Sequence, residues 1–475
     1  MTRRKLILIL AATTALSALA LTAARARDVP VVATGFVANV VCTETFVSGL
    51  DPARVFSETL SAMPGVGLIS WALNYSVDRT RKDVTVTLMG LGKSHAVYRG
   101  EGLGCYLDHG TAVAEISVPA PDAKAALLPD IANPSIVAPE TPQLAAALDR
   151  AFAEPDRATL RNTRAVVVVK DGHVIAERYA DGVGIDTPLL GFSATKSVMS
   201  ALAGILVRKG AMTLDEPAPI AVWQGPDDPR HAITLDHLIR HTAGLALGSS
   251  LSASLASALE PVNRMKFMES DMAAYAESVL LESAPGTVWN YNDGNTVILG
   301  HVIRQASGGS ASKMMRFVRQ ELFDPLGMRN VAIEFDASGN PEASSQMLAS
   351  ARDWARFGTL YLNDPGAGEW AFRTADRPME NGYAVDALTL EDVMPASGVT
   401  PFILKIDIEG AESDLFSRHC DALNQFPVVV IELHDWMLPG ESNSRNFLQW
   451  HVEMKRDFVQ MGENAFSISN SISLM

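Results

Sequence analysis

A predicted β-hairpin that leads directly into an apolar helix is the feature that most constrains the fold of this chain. Two apolar runs, 165–170 and 174–179, are joined through Asp171-Gly172-His173, and an Asp-Gly pair between such runs is typical of a hairpin. Residues 192–208 then carry one apolar stripe, and Gly210 is a suitable helix terminator. The pattern predicts two antiparallel strands followed by a long helix.

The start of this helix carries a candidate nucleophile. Ser193 and Lys196 are three residues apart and therefore project from the same face. A serine must transfer its proton to a nearby base before it attacks, and the N–H groups at a helix N-terminus can stabilise the resulting oxyanion. The alternative is a serine N-cap followed by a solvated lysine.

A tyrosine could complete such a site. Tyr291 lies nearly a hundred residues after Ser193 in Trp289-Asn290-Tyr291-Asn292-Asp293. A phenolic hydroxyl beside a lysine can relay a proton to a leaving group. The alternative is a half-buried core tyrosine in a turn.

The segment 191–198 resembles the active-site helix of the serine β-lactamase-like family. That family includes class C β-lactamases, D-alanyl-D-alanine peptidases, esterases and 6-aminohexanoate-dimer hydrolases. Tyr291-Asn292-Asp293 lies where the family has Tyr-x-Asn, and further similar segments follow the expected order: 210–215, 233–245, 285–286 and 351–358. The resemblance covers roughly 160–365 and is most similar to the 6-aminohexanoate-dimer hydrolase and esterase branch.

This resemblance implies a mechanism and its residues. Ser193 is the expected nucleophile, Lys196 its base, Tyr291 the proton shuttle and Asp293 a substrate-binding residue. The implied reaction is cleavage of a small amide, ester or lactam through an acyl-enzyme, with no cofactor and no metal. Asp293 departs from the asparagine of the family motif, which would alter the substrate polarity that the site accepts.

A second departure lies after residue 365. There the family has a Lys-Thr-Gly-like or His-x-Gly-like segment on a strand that lines the site, and this sequence has no such segment. The strand supplies an oxyanion donor, whose loss costs on the order of 10²–10³ in rate. The sequence therefore predicts a C-terminally truncated β-lactamase/DD-peptidase-like fold, and a catalytically impaired fusion protein is the alternative to an active hydrolase.

The C-terminal part has another character. Residues 402–408 and 428–433 are short apolar runs separated by a helical stretch, which indicates a parallel α/β unit. Segments 388–393, 404–412 and 431–435 resemble the C-terminal portion of FkbM-type methyltransferases. The resemblance implies a partial Rossmann-like fragment and a second alternative, methyltransferase activity. No Gly-rich turn for S-adenosylmethionine precedes Asp407 in this part.

The N-terminus reads as a secretory signal. Arg3, Arg4 and Lys5 precede the apolar stretch 6–23, and Ala24-Arg25-Ala26 fits a cleavage site. An uncleaved anchor is the alternative, since the stretch approaches the length of a membrane helix. We expect a periplasmic or secreted protein. In an oxidising compartment Cys42 and Cys105 are expected to form a disulfide, against the alternative of two buried thiols.

These observations predict an α/β (α+β) chain in four parts. Residues 1–26 form the signal peptide, 27–140 a small α/β domain that ends in a proline-rich linker, 141–365 the incomplete hydrolase and 366–475 the methyltransferase-like fragment. The net charge of −15, without a basic run on any predicted element, excludes nucleic acid as a partner. A small acyl substrate is the expected partner, and a membrane only through an uncleaved signal. The oligomeric state stays open.

Overall fold

The computed structural model describes residues 28–154, 160–225, 227–250 and 255–363, followed by 402–406, 412–418, 420–433, 442, 444–461 and 464–470. The chain divides into two compact units, Met1–Phe357 and Gly358–Met475. The predicted signal peptide and the stretch in which the family's third motif was expected lie outside the described residues.

The first unit contains both helices and strands, with a few single-turn and π-helical segments between them. Its main helices are α1 (Val29–Phe46), α2 (Pro142–Phe152), α3 (Ala194–Arg208), α4 (Leu235–Ile239), α5 (Pro261–Met268), α6 (Met272–Ser278), α7 (Asp293–Ala306), α8 (Ala311–Val318) and α9 (Ala351–Asn363), the last of which continues past the unit boundary. Its strands are β1 (Leu73–Asp78), β2 (Asp83–Leu88), β3 (Gly92–Gly100), β4 (Gly104–Leu107), β5 (Ala165–Lys170), β6 (His173–Tyr179), β7 (Leu189–Leu190), β8 (Val331–Ile333) and β9 (Met347–Ala349).

Helix α1 packs against an antiparallel four-stranded sheet in the order β1–β2–β3–β4, and we call these elements the N-terminal part. Val37 and Val41 of α1 are fully buried with Val84 and Val86 of β2. Among the described residues, α1 is the helix long and apolar enough to cross a bilayer, but 67% of it is buried inside the protein. Its apolar surface therefore serves the core of this part.

The Cys42–Cys105 pair is joined in the structure as a disulfide, which ties α1 to β4. Both cysteines are completely or almost completely buried in the same core cluster. The bridge closes a stretch of 63 residues and so constrains the unfolded chain over the whole N-terminal sheet.

The predicted hairpin is formed by β5 and β6, which pair antiparallel. Asp171 and Gly172 in its turn both have positive φ, 50° and 77°. A turn of this kind matches the right-handed twist of the strands and favours Asn, Asp and Gly. Helix α3 follows with the bounds Ala194–Arg208, close to the predicted 192–208.

The structure does not separate the two predicted domains at residue 140. The proline-rich stretch has almost no regular structure, but it lies along β6: the Val174 N–H donates to Ile131 O (2.8 Å) and the Glu177 N–H to Val137 O (3.0 Å). Composition alone could not reveal these bonds, because they depend on which strand the linker meets.

The second unit contains a four-stranded sheet in the order β10–β11–β13–β12. Its elements are β10 (Ile403–Ile406), α10 (Glu412–Arg418), α11 (Cys420–Leu423), β11 (Val428–Glu432), α12 (Arg445–Glu453), β12 (Asp457–Met461) and β13 (Asn464–Ile468). The predicted strand–helix–strand arrangement is present, and β10 and β11 pair in parallel. Of the segments that resemble methyltransferases, residues 388–393, residues 407–411, which include Asp407, and residues 434–435 lie outside the described residues.

Candidate active site

The turn before α3 presents Ser193. Phe192 has φ 43°, a left-handed conformation that is unfavourable for a residue with a large side chain. Gly191 allows a close approach, since a Cβ atom there would lie 2.1 Å from the Trp354 ring of α9. The Gly191 N–H also donates to Met347 O of β9 at 2.9 Å. The strained turn is therefore held from both sides by distant parts of the chain.

The Ser193 hydroxyl is directed toward other side chains. Within the described residues it forms no capping bond to α3, although Ser193 occupies the N-cap position. Its Oγ instead accepts the Tyr291 hydroxyl at 2.6 Å and lies 3.3 Å from Lys196 Nζ. This geometry differs from the serine N-cap that was the alternative interpretation.

Lys196 is held in one position by three hydrogen bonds. Its Nζ donates to Ser193 Oγ, to Asp293 Oδ1 at 2.8 Å and to Ser344 O at 2.9 Å, and it lies 4.9 Å from the centre of the Tyr291 ring. Only 11% of the side chain is exposed. The solvated lysine of the alternative interpretation is therefore not what the structure contains.

Tyr291 is positioned by a helix start and by a neighbouring ring. Asn292 caps α7 by accepting the Asn295 N–H, so Tyr291 is the residue immediately before the cap. The Tyr291 ring packs on His241 with 4.7 Å between centroids. Burial and the nearby Lys196 charge lower the pKa of His241 to about 4, so His241 is neutral at neutral pH. A neutral ring can stack on Tyr291 without adding a positive charge to the site.

Asp293 contacts lysines rather than an open pocket. Its two oxygens accept from Lys196 (2.8 Å) and from Lys266 of α5 (2.9 Å), and its side chain is 11% exposed. Burial alone would raise the pKa of Asp293, but the charges of Lys266 and Lys196 and their hydrogen bonds hold it well below its usual range. Asp293 therefore carries a full negative charge between two positive ones.

Lys266 extends this row of charges to Glu342. Its Nζ lies 3.2 Å from Glu342 Oε1 and donates to Ser345 Oγ at 2.7 Å. Burial alone would lower the pKa of Lys266, but Asp293 and Glu342 raise it above its usual range. The resulting row, Lys196–Asp293–Lys266–Glu342, alternates in sign and sums to zero. Alternation of this kind is what allows four charges to be buried together.

The Glu342 carboxylate in turn orders the loop that contacts Lys196. It accepts the N–H groups of Ser345 (2.9 Å) and Gln346 (2.8 Å). The Ser344 carbonyl in the same loop accepts from Lys196. The charge row and this loop thus hold the Lys196 ammonium from two directions.

Sequence patterns and the family resemblance placed four residues at the site, and the structure brings all four together: Ser193, Lys196, Tyr291 and Asp293. The patterns and the resemblance missed Lys266 and Glu342, which no motif contains. His241 was inside the quoted segment 233–245 without a role of its own. An aspartate in place of the motif's asparagine was the one available signal for Lys266, because a buried extra carboxylate needs a cation.

A family profile described as Beta-lactamase matches residues 148–393, more than half of the 475 residues. The chain belongs to the beta-lactamase family. The match covers the hairpin, α3 and the Tyr291 segment, and it extends past the domain boundary predicted at 365. It leaves out most of the C-terminal segment that resembled methyltransferases.

Solved structures of this family show limited similarity to the chain. A protein from Bacillus anthracis assigned as a 6-aminohexanoate-dimer hydrolase is 24% identical, with a TM-score of 0.40 over 53% of this chain and 66% of its own. A beta-lactamase from Mycobacterium bovis is 23% identical, with a TM-score of 0.28 over 42% of this chain and 55% of its own. The D-amino acid amidase of Ochrobactrum anthropi SV3 is 19% identical, with a TM-score of 0.30 over 42% of this chain and 63% of its own. The chain thus spans less than two thirds of each. No curated protein matches it.

Proposed function

We propose that this beta-lactamase-family protein is an exported serine hydrolase that cleaves an amide, ester or lactam through an acyl-enzyme on Ser193. The position of Ser193 Oγ, 2.6 Å from Tyr291 Oη and 3.3 Å from Lys196 Nζ, carries the proposal. A hydroxyl within hydrogen-bonding reach of two groups that can exchange a proton is the arrangement that acyl transfer requires.

The proposed reaction has two halves. Lys196, an ammonium in the charge row, first releases one proton to water. Ser193 Oγ then bonds to the substrate carbonyl carbon, and its proton passes to the neutral Lys196 amine. The Ser193 N–H at the start of α3 stabilises the oxyanion. As the carbonyl re-forms, the bond to the leaving nitrogen or oxygen breaks, and that atom takes the Tyr291 proton, which Lys196 then replaces. Water attacks the acyl-enzyme along the same route, returns a proton to Ser193 and releases the acid.

Asp293 is proposed as a positioning residue in this scheme. Both its oxygens are occupied by lysines, so it acts on the reaction through Lys196. It holds the Lys196 Nζ at 2.8 Å, and Lys266 on its other oxygen balances its negative charge. Direct contact between Asp293 and substrate stays a prediction from the family resemblance.

Apolar side chains around Ser193 favour a substrate with an uncharged, apolar group. Phe192 adjoins the nucleophile and is half exposed, and Trp289, whose ring lies 6.2 Å from that of Tyr291, is more exposed still. Apolar side chains next to a nucleophile offer contact surface to an apolar group of the substrate. We therefore propose medium-chain or aromatic acyl groups rather than charged ones.

Burst kinetics with p-nitrophenyl butyrate test the proposal. We expect one equivalent of p-nitrophenol per chain in a fast phase, and mass spectrometry should locate the butyryl group on Ser193. Ser193→Ala should abolish the burst, whereas Ser278→Ala, an exposed serine on α6, should leave it unchanged. A burst followed by no turnover would support the impaired fusion that the sequence also predicts. The absence of any burst from folded protein would refute the proposed acyl-enzyme.

The C-terminal unit carries the second candidate function. The parallel pair β10–β11, with helices between the two strands, supports the proposed FkbM-like, partial Rossmann-like fragment. Calorimetry with S-adenosylmethionine tests it. Binding would support a methyltransferase fragment, and no heat at millimolar ligand would leave the unit without that role.

A further inference from the structure

One end of the N-terminal sheet exposes four large apolar side chains. Leu68, Trp71, Met89 and Leu91 are between 64% and 78% exposed, and we call them the apolar tip. Met89 and Leu91 belong to the turn of the β2–β3 hairpin, in which the Leu91 N–H donates to Leu88 O at 2.8 Å. Leu68 and Trp71 lie just before β1, whose Leu73 pairs with Leu88. All four residues therefore lie at the same end of the sheet.

The turn at the tip carries a methionine at a position where this kind of turn favours Asn, Asp or Gly. Met89 and Gly90 have φ of 46° and 75°, the same combination that Asp171 and Gly172 adopt in the β5–β6 turn. The first position of such a turn favours Asn, Asp or Gly, and the β5–β6 turn follows this preference. At the tip a methionine takes that position and exposes its side chain. An exposed apolar residue in an unfavourable conformation indicates a function for the side chain.

The tip lies beside the start of α1. Gly92, the first residue of β3, packs against Pro30 at the start of α1, and a Cβ atom at Gly92 would come within 2.5 Å of the Pro30 carbonyl oxygen. In the sequence, the apolar stretch 6–23 ends shortly before α1 begins. The predicted signal segment therefore precedes the part of the chain that lies beside the apolar tip.

We propose that the apolar tip docks into the interfacial layer of a lipid bilayer. Tryptophan favours the headgroup region, where its ring is partly buried and its N–H remains near water, and Leu and Met supply apolar surface that inserts below it. Exposed Lys93, two residues after Leu91, is placed to meet anionic headgroups. The tip thus gives the protein a membrane contact of its own, in addition to any retained signal segment.

Vesicle binding by the full chain tests this proposal. With vesicles of phosphatidylcholine and phosphatidylglycerol at 4:1, brominated lipids should quench tryptophan emission, and Trp71→Phe should remove most of that quenching. Because quenching reports insertion of the tip itself, a retained signal segment cannot mimic it. No difference between the Trp71→Phe variant and wild type would overturn the proposal.

A variant that strengthens the turn separates docking from folding. Met89→Asn with Leu91→Ser should lower vesicle partitioning at least tenfold, since each buried Leu or Met contributes about that factor. Asn-Gly suits the turn, so the variant should unfold at the same temperature as wild type or higher. Leu127→Ser, at an exposed leucine outside the sheet, should change nothing. Unchanged partitioning of the tip variant, or self-association that the variant abolishes without any vesicle binding, would refute the bilayer as the occupant.

Discussion

Removing Lys266 should destabilise the first unit far more than removing an exposed lysine that has an equally short ion pair. Lys266 lies 2.9 Å from Asp293 and 3.2 Å from Glu342 with 10% of its side chain exposed. At an effective dielectric constant of about 20 the two attractions are each on the order of 5 kcal/mol. Lys266→Met leaves two buried carboxylates with Lys196 alone. After relaxation we expect a loss of about 3–5 kcal/mol in the free energy of unfolding.

Two companion variants isolate the charge effect. The double variant Lys266→Met with Glu342→Gln returns the row to zero net charge. It should therefore recover at least about 1 kcal/mol of the unfolding free energy that Lys266→Met loses, since replacing both members of a buried ion pair costs far less than removing one. Lys209→Met removes a partner of Glu321 at 2.8 Å, but the Lys209 side chain is 45% exposed. That control should cost less than about 1 kcal/mol.

Urea unfolding measures these differences. Pulse proteolysis, quantified by mass spectrometry of peptides from α7, reports the first unit alone, and linear extrapolation gives its free energy of unfolding. The electrostatic reasoning would be refuted if Lys266→Met cost no more than Lys209→Met. The reasoning would also be refuted if the double variant were less stable than Lys266→Met by the full cost of Glu342→Gln alone.

Further expected outcomes concern Glu334, the disulfide, Asp293 and Trp289. Burial raises the pKa of Glu334 from 4.5 to about 7. The stability that the protonated Glu334 contributes is therefore fully present below pH 4.5 and is lost as pH rises through 7. In urea titrations, the free energy of unfolding of wild type should fall by about 3 kcal/mol over that range relative to Glu334→Gln. Reduction of the disulfide should cost roughly 4 kcal/mol for its 63-residue loop, measured by the same titration with and without reductant. Asp293→Asn should lower kcat/KM for p-nitrophenyl butyrate at least about tenfold, because Lys196 loses the carboxylate that positions its Nζ at 2.8 Å. An unchanged kcat/KM contradicts the positioning role. Trp289→Ala should lower kcat/KM for p-nitrophenyl octanoate about tenfold more than for the acetate, since a long acyl chain loses buried surface.

Local patterns in the sequence were enough to predict the elements that carry the candidate site. The Asp-Gly turn predicted the β5–β6 hairpin because that turn demands positive φ at both residues, which the structure has. The apolar stripe after Ser193 predicted α3, since the spacing of apolar residues along a helix is a local property. The motif resemblance supplied Tyr291, nearly a hundred residues away, which no local rule could pair with Ser193.

Only the tertiary structure determines which charged residues lie next to that site. Lys266 lies on α5 and Glu342 in the loop before β9, and neither has a motif or a periodic pattern that points to Asp293. The same holds for the Glu334 carboxylate, which accepts from Thr43 of α1 and from the Cys105 N–H of β4 and so joins the two predicted domains. Burial makes these partners necessary, because an unpaired charge inside a protein is costly. Which residue becomes the partner depends on how distant elements pack, and that information is not local in the sequence.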